Sequence, residues 1–193
     1  WGEDPERGAW FTALEWVVGD SLAHRLKRNA LTVDDAVSLF SKLAEGLALC
    51  HREGIIHRKI QPAHIILSPR GPSFISFQWV DEIGGHDLQR AQQGAYQLFG
   101  RRPKFLAPEW MQDAMITDAA DVYALGACML EAVAPDATTW RDAPPLLHAC
   151  LAGALHHHPD ERSDIHAFIK DLELSSAHYL YQAGSDPSLP TQE

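Results

Sequence analysis

"GIIHRKIQPAHIIL", residues 54–67, is the stretch on which the reading of the fold turns. Upstream, "VDDAVSLFSKLAEGLALCHREG" places Val33, Ala36, Val37, Phe40, Leu43, Leu47 and Cys50 at helical spacing. Thr32 can cap that helix and Gly54 can end it. Downstream, "AHIIL" and "SFISF" are β-branched runs separated by "SPRGP", which signals a hairpin. The quoted stretch therefore links a long helix to a hairpin, with His57, Arg58 and Lys59 in the link.

Working outward, "AWFTALEWVV" (9–18) lies between Gly8 and Gly19 and reads as a strand. Asp20 or Ser21 can cap a short helix to about Asn29. Beyond the hairpin a Gln- and Gly-rich region of weak periodicity runs to Pro103. The second half is mostly helical, through "DAADVYALGACMLEAVA", "APPLLHACLAGALHH" and "ERSDIHAFIKDLELSS". The polar tail, residues 184–193, is expected to be loose. There is no internal repeat, and a lone leading strand is incomplete as a sheet.

The chain has 193 residues, 46% of them hydrophobic, and a formal charge of -10. This suffices for one domain with a core. The acidic balance argues against nucleic acid as a partner, since phosphate backbones need a basic face. No apolar run approaches a membrane span. The opening residue, Trp1, implies that the gene product starts earlier. Cys50, Cys128 and Cys150 are odd in number and sit in apolar helical patterns, so buried thiols and a reducing, cytoplasmic setting are expected. His156, His157 and His158 are adjacent and point different ways on a helix, so no metal site is expected from them.

Five segments in order carry a resemblance to the C-terminal lobe of the eukaryotic-type protein kinase fold, from about Trp10 to Leu174. "TALEWVVGDSL" resembles the last strand of the small lobe and the hinge. "LAEGLALCHREGIIHR" resembles the helix leading into the catalytic loop H-R-D-L-x-x-x-N. "LAPEW" matches A-P-E, "DAADVYALG" resembles the start of the buried central helix, and "HPDERSD" resembles D-P-x-x-R-P. The fold class this implies is α+β: a mainly helical large lobe over residues 1–183 with a small hairpin and a hinge strand at 9–18. The small lobe is largely absent from the chain.

The resemblance also implies roles. Glu109 and Arg162 should form a buried ion pair. Asp121 should accept backbone N–H bonds from the catalytic loop, and His57 and Arg58 belong to the retained scaffold, as do Pro62, Ala107, Pro108 and Gly126. The departures fall on the chemistry of phosphoryl transfer. Lys59 stands where the family has its catalytic Asp, Gln61 where it has Lys, and His64 where it has the metal-binding Asn. Counting through the hairpin puts D-F-G on Phe77, Gln78 and Trp79, and Arg102 takes the place of the Thr before A-P-E. These positions offer magnesium no carboxylate, and hard cations take oxygen ligands.

On these grounds the expectation is a pseudokinase: no catalytic residues, no cofactor, no metal, and a role as an interaction scaffold or regulator. Metal-independent nucleotide sensing and a divergent transferase are the alternatives. The expected partner is a protein: an active kinase, a phosphothreonine-binding domain or a second copy of the chain. Thr32 with Asp35 and Thr139 with Asp142 fit a loose pT-x-x-D pattern. Phe77 and Trp79 are expected to fold over the nucleotide cleft and form the interface, since large rings are unfavourable to expose. Gln78 would replace the Phe that stacks on His57.

Overall fold

The computed structural model describes residues 2–4, 9–11, 15–77, 104–112, 115–134, 140, 141 and 143–184. Among the described residues the main helices are α1 (Leu22–Leu26), α2 (Val33–Arg52), α3 (Ala119–Val133), α4 (Pro145–Ala154) and α5 (Ile165–Gly184). The strands are β1 (Gly2–Asp4), β2 (Ala9–Phe11), β3 (Asp20–Ser21), β4 (Ile65–Ser68) and β5 (Gly71–Phe74). Short 3-10 turns begin at Pro62, Pro108 and Pro159, where proline's fixed φ and missing N–H suit the first position.

Local chemistry sets the helix ends. Ser21 Oγ accepts from His24 N–H to start α1, and Thr32 Oγ1 accepts from Asp35 N–H to start α2. The Thr32 hydroxyl is thus engaged as a cap, and Thr139 and Asp142 lie outside the described residues. Asp34 and Asp35 occupy the first turn of α2, His51 and Arg52 its last, which complements the helix dipole. Gly54, at φ 74, turns the chain away, a conformation that costs a residue without Cβ little.

α2 buries one stripe: Ala36, Val37, Phe40, Leu43, Ala44 and Leu47. α3 is buried on nearly every face, as befits a helix apolar all round. α5 packs on α2 and α4, and Phe40, Leu125, Met129, Leu151, Phe168 and Leu172 meet in one core. A second cluster, Ala107, Trp110, Ile116, Ala120, Tyr123 and Ala127, seats the segment before α3 against its outer side. Gly126 lets α3 approach α4: a Cβ there would come within 2.9 Å of Ala154 Cβ.

The sheet departs from expectation. In place of one strand over 9–18, Ala9–Phe11 pairs antiparallel with Gly2–Asp4, and Asp20–Ser21 joins the hairpin in the order β3-β4-β5. Residues 15–18 carry no strand pairing, and Trp16 is 85% exposed. At Gly19 a Cβ would lie 2.4 Å from the Leu67 carbonyl oxygen, so only glycine lets β3 reach β4. The hairpin is Ile65–Ser68 with Gly71–Phe74, shifted from "AHIIL" and "SFISF", because Pro62–His64 forms a 3-10 turn. Residues 185–193, most of the expected loose tail, lie outside the described residues.

Phe168 is fully buried between α5 and the rest of the core. Truncating a buried Phe to Ala costs about 3–5 kcal/mol, and about 1 kcal/mol moves a domain of this size by roughly 2–4 °C. Phe168→Ala should therefore lower the melting temperature, followed by circular dichroism, by roughly 6–20 °C.

Candidate functional site: a loop held by the buried carboxylate of Asp121

The link between α2 and β4 is fixed from below by α3. Asp121 lies in the first turn of that helix with a side chain 1% exposed. Its Oδ2 accepts from His57 N–H at 2.7 Å and its Oδ1 from Arg58 N–H at 2.8 Å. A buried carboxylate is tolerable only when its lone pairs are filled, and the loop supplies donors on both oxygens. His51, in the last turn of α2, places Nε2 3.0 Å from Oδ2. Asp118, not Asp121, is the residue before α3, and it makes no side-chain capping bond.

Arg58 has φ 64. A non-glycine residue in the left-handed region costs about 1–3 kcal/mol, and the Asp121 bond to its N–H holds it there. His57 is fully buried. Its Nδ1 accepts from Lys59 N–H at 3.2 Å, so the ring hydrogen of the neutral form sits on Nε2, which has no hydrogen-bond partner. Burial pushes the His57 pKa down, against the opposing pull of the Asp121 charge.

Further along the loop, His64 Nδ1 lies 2.8 Å from the Lys59 carbonyl oxygen. A carbonyl only accepts, so Nδ1 donates, and Gln61 Nε2 stands 3.0 Å from His64 Nε2. His64 thus ties the loop across its own turn. The Lys59 side chain is exposed, beyond a backbone pinned at N–H and C=O.

The Phe77 ring lies 4.3 Å from the His57 ring at 34°, and the Phe74 ring meets the His57 ring edge-on at 5.3 Å. Phe77 thus packs on His57, and Ser76 before it has φ 62. Phe77 is 42% exposed; Gln78, Trp79 and Arg102 lie outside the described residues.

Glu109 and Arg162 come together 53 residues apart in sequence, with side chains 2% and 0% exposed. Arg162 Nη1 and Nη2 donate to Glu109 Oε1 and Oε2 at 2.7 and 2.9 Å. The guanidinium also donates to the carbonyls of Ala119 and His156, and its Cζ stands 5.1 Å above the Tyr123 ring. The pair ties the A-P-E segment to the turn after α4 and to the start of α3. Sequence reasoning missed His51 and Phe74: nothing in "CHREG" says which way a last-turn histidine faces.

A protein kinase domain model matches residues 6–163, and the chain belongs to the protein kinase domain family. It is 31% identical over 118 residues to the serine/threonine-protein kinase drp72 of Corynebacterium efficiens, covering 60% of this chain and 22% of that protein. It is 32% identical over 124 residues to the serine/threonine-protein kinase PknK of Mycobacterium tuberculosis, 63% of this chain and 11% of that one. Against the probable serine/threonine-protein kinase PkwA of Thermomonospora curvata, identity is 25% over 191 residues, 95% of this chain and 25% of that one. The chain thus spans between about a tenth and a quarter of these relatives.

These relatives overturn the expectation of a catalytically inactive scaffold that is no enzyme: each is named as a serine/threonine-protein kinase. The expectation rested on Lys59, Gln61, His64 and the hairpin register. Lys59, His64 and Phe77 do not form an oxygen-rich set for magnesium. Among the described residues no group of three or more His, Cys, Asp or Glu could hold a metal ion. No helix among them is long and apolar enough to cross a membrane.

Two outcomes follow from this geometry. Removing one member of a buried ion pair costs about 3–5 kcal/mol, so Arg162→Ala should lower the melting temperature by roughly 6–20 °C. Arg162→Lys should recover less than half of that, because one ammonium cannot replace a fork that serves Glu109 and two carbonyls. The second concerns pH. The folded chain keeps His57 neutral to lower pH than the unfolded chain does, so below about 6.5 the unfolded state binds the extra proton. Stability from this group is full above that pH and falls as pH drops. A His57→Phe variant should show a flatter decline in melting temperature between about pH 6.5 and 5.

Proposed function

We propose that this chain forms the catalytic-loop lobe of a serine/threonine protein kinase, which transfers the terminal phosphoryl group of a nucleoside triphosphate to a protein hydroxyl. The observation that carries the reading is the hold of Asp121 on the His57 and Arg58 amides, in a chain that matches the protein kinase domain. In this reaction the hydroxyl oxygen bonds to phosphorus, the bond from phosphorus to the bridging oxygen breaks, the nucleoside diphosphate leaves, and the hydroxyl proton passes to solvent. Positioning and charge stabilisation supply most of the catalysis in such transfers.

Each residue's part follows from its place. Asp121 makes the loop from His57 to His64 a fixed platform. His64 fixes the Lys59 backbone, and the exposed Lys59 ammonium offers a point charge to phosphoryl oxygens as negative charge develops there. No step assigned to these residues runs through a metal, because the loop's donors do not suit one. The protein substrate is the partner in this reading. Cytoplasmic location is part of the proposal, supported by Cys50, Cys128 and Cys150 as free thiols, which suit a reducing compartment.

The test uses the full-length protein that contains this chain, radiolabelled ATP with magnesium or manganese, and a mixture of serine and threonine peptides. Label should appear in phosphoserine or phosphothreonine. Asp121→Ala and Lys59→Ala should each lower the rate by roughly ten- to a thousandfold. Full-length protein that folds and transfers no label with either cation overturns the proposal.

A further inference from the structure

A pocket of about 310 Å³ opens beside the loop that presents Lys59. Ala23 and Leu26 of α1, Pro62 and Ala63 of the loop, and Phe105 of the segment before α3 line it with carbon. Phe105 packs against both apolar clusters, so that wall is firmly seated. Sites that hold whole small molecules run from about 300 to 1,000 Å³. This one lies at the bottom of that range and suits a single large side chain.

The polar groups around the pocket are already engaged. Among the described residues that line it, only Glu131, in the last turn of α3, carries a carboxylate. Lys104 Nζ donates to its Oε2. The Gln61 amide nitrogen lies 3.2 and 3.0 Å from the two ring nitrogens of His64. Lys27, at the end of α1, is exposed, and a lysine can lay its stem along an apolar wall while its ammonium stays in water. An entering Lys or Arg would meet two ammonium groups and a carboxylate that is already paired. An entering carboxylate would exchange water for one well-hydrated ammonium, which gains little. An apolar side chain loses nothing of this kind, and it removes carbon surface from water on both sides.

We propose that this pocket seats a large apolar side chain of the protein substrate, flanking the hydroxyl that is phosphorylated, and that Lys104 sets this preference by neutralising Glu131. Pro62 and Ala63 lie three and four residues beyond Lys59, on the same platform, so a segment bound here passes close to Lys59. The link to phosphate transfer rests on the kinase reading; the preference of the pocket does not. Lys104 is a specificity-determining residue in this scheme and touches none of the reacting atoms.

The experiment uses the full-length protein and short serine peptides in which each flanking position in turn carries Leu, Phe, Ala, Glu or Arg. Binding is read by fluorescence anisotropy on the same peptides with alanine at the acceptor position, so that no transfer is required. At one flanking position Leu or Phe should bind about tenfold or more tightly than Ala, while Glu and Arg should not. Ala23→Phe, which fills the pocket from α1, should erase that preference. Lys104→Met frees the Glu131 carboxylate, and Arg at the same position should then bind about fivefold or more tightly than it does to the parent. Lys104→Arg should keep the parental order. An exposed ion pair contributes little to stability, so the Lys104 variants should fold, which circular dichroism checks. The proposal is overturned if no position distinguishes Leu or Phe from Ala, if the parent selects Glu or Arg, if Ala23→Phe leaves the preference intact, or if Lys104→Met leaves the affinity for Arg unchanged. If the parent binds these peptides and transfers no phosphate, the kinase reading fails alone, and the anisotropy still decides what the pocket takes.

Discussion

The structure depends on a negative charge that has been taken out of water. A carboxylate buried at the first turn of a helix is favoured by the helix dipole, but only full hydrogen bonding makes its burial tolerable. Asp121 meets that demand with donors from two other parts of the chain: the end of α2 and the loop that follows it. The central helix is therefore both the most buried element and the base on which the candidate site is built. Displacing α3 would leave the loop without its acceptor and the carboxylate without its donors.

Glu109 and Arg162 solve a similar problem beside the start of α3. Here both charges are buried and face each other squarely, and the remaining guanidinium hydrogens go to backbone carbonyls. Such a pair contributes less to net stability than its contacts imply, because desolvation offsets much of the attraction. Its stronger effect is on geometry. Three segments distant in sequence meet at one planar fork, and a fork tolerates little change in angle.

How much of this was legible in the sequence depended on the range of the interaction. α2 was readable because its apolar spacing and the Thr32 cap are local, whereas the burial of α3 was expected only through resemblance to a family. Residues with long-range partners, such as Arg162, could be singled out only through resemblance to a family. His51 was not singled out, since its facing depends on the packing of α2 against α3. The strand expected over 9–18 broke into pieces because "AWFTALEWVV" has strand composition throughout, while a strand exists only where an edge lies within reach. The largest error lay in function: replaced side chains at a few positions were read as loss of activity, whereas the relatives are named as serine/threonine-protein kinases.

The separation of Asp121 from its loop also has a consequence for biosynthesis. His57 and the carboxylate that receives its N–H are 64 residues apart. A chain made from its N-terminus therefore completes α2 and the loop well before the acceptor exists. During that interval Arg58 lacks the carboxylate that accepts its N–H in the folded chain, and a non-glycine residue favours ordinary extended conformations over the left-handed region. The loop acquires its shape only when the first turn of α3 docks, a non-local step that comes late because loop closure must precede its reward. A nascent chain halted before α3 would carry every residue of the loop and none of its order.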